Sequence, residues 1–165
     1  MGLGLLAACP LLVAVLAAPA DDLRPPVGIT SWVHFDGSTR AGSTRQEVSL
    51  AGGRVETRET SVYDLIVAKG LQVHIETDAT ITETLEGRPV TFRAVHTMQR
   101  RGTSTLAAVT FRTEGFLGED GRIHAERRSS RSDQVETVVL DWGDDCCLYW
   151  GCDRLTRHLG HGPAG

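Results

Sequence analysis

A chain of 165 residues has room for one domain with a core, or for a smaller domain with tails. Its formal net charge of -4, with both signs mixed along the chain, argues against a dedicated nucleic-acid binder, which carries a basic face. Aromatic residues are only 5%, so a core must lean on Val, Leu, Ile and Ala.

The first twenty residues read as an export signal. Leu3 to Ala20 is apolar without a charge and ends in Ala18-Pro19-Ala20, the small-residue pattern that a signal peptidase accepts. The run is short for a bilayer span, and no Lys or Arg precedes it. An overlapping pattern, Leu6-Ala7-Ala8-Cys9, resembles a lipoprotein signal, although most of the apolar stretch follows Cys9 instead of preceding it. The expected location is therefore periplasmic or extracellular, with membrane contact only through this segment if it stays uncleaved.

Residues 21–30 form a polar, proline-containing extended linker. From 31 to 140 the chain alternates in β-branched runs, punctuated by Gly37, Gly53, Gly70, Gly87, Gly102 and Gly121, each able to take the positive φ of a tight hairpin. The clearest run is Leu71 to Glu86. Its odd positions are Leu71, Val73, Ile75, Thr77, Ala79 and Ile81, and its even positions are Gln72, His74, Glu76, Asp78, Thr80 and Thr82. Period two with one dry and one wet face specifies a strand. Seven more segments share this character: SWVHF, STRQEVSL, VETRETSVYDLIV, VTFRAVHTMQ, STLAAVTFRTEGF, RIHAERRS and QVETVVL. Short turns between them predict a mainly β fold, an antiparallel meander of about eight strands forming a curved sheet, half-barrel or barrel. Residues 141–165 read as an irregular tail with a short helix, Asp153 serving as its N-cap and Gly160 following its end.

The stretch Ile81 to Gly115 resembles the β-rich domain that precedes the catalytic core in secreted bacterial transglutaminase-like proteins. Glu86-Gly87-Arg88-Pro89-Val90-Thr91-Phe92 is similar to the turn of that domain, and the segment from Asp141 onward is similar to its lead into the core. The likeness spans roughly residues 32–162. It implies an exported accessory domain without its own chemistry, because the family's cysteine, histidine and aspartate belong to a later core, none of which follows before Gly165.

Three cysteines crowd into "GDDCCLYWGC", residues 143–152. As a nucleophile, Cys146 or Cys147 lacks a separately placed base, and the flanking aspartates would raise a thiol pKa. As zinc ligands, Cys147, Cys152, His158 and His161 are right in kind, but their spacing is shorter than in a usual finger. A disulfide between Cys147 and Cys152 suits an exported protein and leaves Cys146 odd. The plainest alternative is an irregular tail with incidental cysteines, as a frameshift in front of a missing core would leave. Neither a cofactor nor a catalytic residue is expected.

Elsewhere, Arg122 to Arg131 reads as the wet face of an edge strand. His74 and His96 are expected on opposite faces, and Glu76, Asp78, Glu83 and Glu86 on a carboxylate-rich wet face. Two functions follow: an accessory domain that docks a protein partner, or an envelope carrier that holds a lipid or other apolar ligand against a curved sheet.

Overall fold

A computed structural model describes residues 24–68, 71–102, 107–143, 146 and 148–152. Eight strands follow in chain order: β1 (Gly28–Asp36), β2 (Thr39–Ala51), β3 (Arg54–Ala68), β4 (Leu71–Thr84), β5 (Pro89–Gly102), β6 (Val109–Leu117), β7 (Arg122–Ser129) and β8 (Ser132–Asp141). They form one antiparallel sheet in the order β1-β2-β3-β4-β5-β6-β7-β8, so each strand pairs only with its neighbours in sequence. The sheet is an open meander and not a closed barrel: β1 and β8 are its two edges.

All eight expected strands are present, with β1 starting at Gly28, inside the segment read as linker. The expected turn glycines Gly37, Gly53, Gly87 and Gly121 take positive φ, Gly102 is instead the last residue of β5, and Gly70 lies outside the described residues. Arg122 to Arg131 corrects one expectation. Its strand, β7, lies inside the sheet between β6 and β8, and the edge is the acidic β8. The helix expected after Asp153 also lies outside the described residues. A single helical turn at residues 149–152 stands just before it.

The alternation of side chains is carried coherently across the registers. Thr44 faces Ser61, Thr57 faces Ile81, Ile81 faces Phe92, Phe92 faces Gly115, and Leu117 faces Ile123. These residues share one face, because residues opposite one another in antiparallel strands point to the same side. That dry face carries every buried residue of the described strands: Thr44, Val55, Thr57, Ser61, Ala79, Ile81, Glu83, Pro89 and Ile123. At Gly115 a side chain would collide with the Phe92 ring, so glycine lets the aromatic lie across β6. The wet face is laced with charge pairs, among them Arg58–Glu56, Arg93–Glu114, Arg122–Asp141 and Arg128–Glu126. Such exposed pairs contribute at most about 1 kcal/mol each.

Prolines aside, only five apolar side chains among the described residues are buried: Val55, Ala79, Ile81, Ile123 and Trp150. Four belong to the sheet, and the fifth comes from the segment after β8. Elsewhere the dry face is half-covered or open, as at Val73, Ile75, Phe111 and Val138, and at Leu65, Met98 and Leu140. A single sheet with one dry face is half of a two-layer core, and among the described residues the second layer is supplied at one end only.

Candidate functional site

The covered end is built around Glu83. Its odd number places it on the dry face, and it is fully buried. Its carboxylate accepts the backbone N–H of Trp150 at 2.7 Å through Oε2 and that of Gly151 at 3.0 Å through Oε1. These are first-turn donors of the 149–152 helical turn, which has no carbonyls of its own to satisfy them. Trp150, 2% exposed, lies alongside and donates its indole N–H to the Leu85 carbonyl at 2.9 Å. The backbones close up at Gly87, which has φ +83°. A Cβ there would stand 2.6 Å from Gly151 Cα. Burial pushes the Glu83 carboxyl above its ordinary value, and the two N–H bonds work in the opposite direction.

This latch corrects the placement of Glu83 on the wet face. Glu76 and Asp78 do stand there, but the alternation of β4 continues past Ile81 and turns Glu83 inward. Parity alone could have shown it; what no periodicity shows is the partner, Trp150, which lies 67 residues away. The latch also answers what the cysteine-rich stretch is near the sheet: its Leu148–Cys152 part is docked structure. Cys152 is disulfide-bonded, and its partner lies outside the described residues. Cys146 is exposed and stands outside that disulfide. Of the four residues weighed as zinc ligands, Cys147, His158 and His161 fall outside the described residues, and the sulfur of Cys152 is not a thiolate while it is disulfide-bonded.

Next to the latch, toward β1, lies a polar cluster on the same face. His34 Nε2 is 2.8 Å from Thr44 Oγ1, and Tyr63 Oη is 3.2 Å from both. The His34 and Tyr63 rings meet at 5.0 Å. Tyr149 reaches the cluster from above and hydrogen-bonds Glu59. Burial first, then Glu59, push its phenol well up, so the hydroxyl stays protonated. The Thr44–His34 distance is that of a nucleophile and base. Yet Thr44 is 6% exposed, and no described carboxylate orients the other nitrogen of His34. Within the cluster His34 Nε2, Thr44 Oγ1 and Tyr63 Oη satisfy one another.

At the other end, toward β8, lies a groove of about 650 Å³ whose lining includes Phe111, Arg127, Ser129 and, on β8, Ser132 and residues 134–136. The Arg127 guanidinium lies 4.3 Å above the Phe111 ring. His96, opposite Phe111 in the register, holds Thr77 at 3.0 Å; burial, then Arg127, depress its pKa. His74 projects from the wet face, with Asp64 at 2.7 Å and Glu76 at 3.1 Å, and these carboxylates raise its pKa. The two histidines stand on opposite faces, as their positions predict. Among the described residues no cluster of three His, Cys, Asp or Glu is arranged to hold a metal ion, and no helix is long and apolar enough to cross a membrane. No protein family, curated protein or solved structure matches the chain.

Proposed function

We propose that the chain is an exported, non-catalytic binding domain that holds a lipid or other apolar ligand on the dry face of its open sheet. One observation carries this reading: the dry face is apolar in pattern, yet the described residues seal it at one end only. Ile75, Phe111, Val138 and Met98 lie beyond the reach of the latch, and a side chain on a finished core would be interdigitated. The groove over Phe111 gives that face a concavity. Export is supported by the apolar, charge-free leader and by the disulfide at Cys152, which persists in an oxidising compartment.

Native mass spectrometry of the full chain, purified from the exported fraction without detergent, tests the reading. Adducts of lipid mass are expected on the wild-type protein and not on Met98→Glu or Phe111→Glu. A protein that carries no adduct and takes up no hydrophobic fluorophore overturns it. A second reading, the accessory domain of a transglutaminase-like protein, is favoured by the latch itself. It fastens the segment after β8 onto the sheet, as a lead into a following core requires. In that case the dry face is covered by protein, and both variants would lose a partner instead of a lipid.

A further inference from the structure

The two edges of the sheet differ in a way that neither the latch nor the dry face explains. β8 carries Asp133, Glu136 and Asp141 among ten residues and no cation. Two β8 edges brought together would set carboxylates against carboxylates, the usual defence of an exposed edge. β1, GITSWVHFD, has a single carboxylate, at its last residue, and no Lys, Arg or Pro. Ile29, Trp32, Val33 and Phe35 are 57%, 42%, 49% and 64% exposed. β1 is also regular along its own length, since the register shift beside Phe35 falls on the β2 side, where Ala41 is the extra residue. A nine-residue, β-branched and aromatic edge, charged only at its last residue and with one row of backbone groups unpaired among the described residues, is a template for another strand.

We propose that the protein associates with a second copy of itself through β1, each β1 pairing antiparallel with the other across a two-fold axis. With Trp32 on the axis, Ile29 faces Phe35 of the second copy on the wet side, and Thr30 faces His34 on the dry side. The first is an aromatic–β-branched pair of the kind that stabilises sheets. The strand is thus complementary to itself, and the two-fold keeps both dry faces on one side, so the two sheets become one. Pairing of β1 with β8 of another copy would instead be head-to-tail and would grow without closing. Edge pairing uses backbone groups in the plane of the sheet, so it is independent of what occupies the dry face.

Sedimentation equilibrium of the full chain reads the result. A dimer, with no larger species, is expected for the wild type. Val33→Lys in β1 should weaken it at least a hundredfold, while Val139→Lys in β8 should leave it unchanged. Amide exchange on the wild type supplies a measurement free of folding defects: protection should rise with protein concentration in residues 28–36 alone. A wild type that stays monomeric at about 100 μM, where even a weak specific pair assembles, overturns the inference. So does a dimer that survives Val33→Lys, one broken by Val139→Lys, a species larger than a dimer, or concentration-dependent protection confined to another strand.

Discussion

Substitution of Gly87 by alanine isolates the contribution of the latch, because the molecule contains its own control. Gly121 has φ +75° and open space where a Cβ would go, whereas Gly87 has φ +83° and a Cβ position 2.6 Å from Gly151 Cα. Both alanines meet the backbone cost of a left-handed conformation, about 1 kcal/mol. Only Gly87→Ala also forces two backbones apart, and the least costly relief is release of residues 148–152. Release exposes Trp150, losing about 3 kcal/mol of aromatic burial. It also loses three hydrogen bonds at about 1 kcal/mol net each. Against this, five residues regain freedom at about 1 kcal/mol each. The extra cost is thereby capped near 1 kcal/mol, and is higher where the Cys152 disulfide restrains the released segment. The expectation is about 1 kcal/mol for Gly121→Ala and 2–3 kcal/mol for Gly87→Ala in urea denaturation. The Trp150 amide, protected from exchange by Glu83 in the wild type, should exchange freely in Gly87→Ala only. Equal losses for the two variants within about 0.5 kcal/mol, with the Trp150 amide still protected, would refute the reasoning.

Three further outcomes follow from buried or bracketed groups. Since the Glu83 carboxyl is raised above its ordinary value of 4.5, the folded chain holds a proton that the unfolded chain has released. Stability should fall as pH rises from 4.5 through the folded value, and Glu83→Gln should remove that slope when urea midpoints of the two proteins are compared. His74 is raised by Asp64 and Glu76, so its contribution is present in full below pH 6.5 and is lost as pH rises through the folded value. His74→Gln should abolish that loss, which is under about 1 kcal/mol because both carboxylate partners are exposed, as read from denaturation at pH 5.5 and 8.5. Thr57, 1% exposed, buries a hydroxyl with no hydrogen-bond partner among the described residues. Thr57→Val keeps the shape and should stabilise the fold by about 1 kcal/mol, and a loss in melting temperature would point to a partner for that oxygen.

The sheet was legible because strand and turn signals are local. The alternation from Leu71 to Ile81 and the glycine turns at residues 37, 53, 87 and 121 each report on a few neighbouring residues, and a meander asks for nothing longer in range. The same locality hid three things. Closure of the sheet depends on accumulated twist and strand count, which no single segment encodes, and the barrel alternative accordingly gives way to an open sheet. The arginine run of β7 carries the charge that guards sheet edges, so β7 resembled an edge although β8 pairs with it. The latch depends on a carboxylate and a tryptophan that only the folded sheet brings together. A buried glutamate at an odd position of a strand was the sole trace of it in the sequence.

The connectivity of the meander has a consequence for the order of events during folding. Every ladder joins strands adjacent in the chain, so each hairpin can close soon after its second strand is available, and contacts of short sequence separation form fast. A chain that emerges from its N-terminal end can therefore zip strand upon strand while the remainder is still unavailable. The bond from Trp150 to Glu83 is of another kind, spanning 67 residues and requiring β5 through β8 to be laid down first. Burial of that one indole thus marks completion. A chain stalled, nicked or mispaired anywhere between β5 and β8 leaves Trp150 in water, the signature by which an unfinished molecule differs from a finished one.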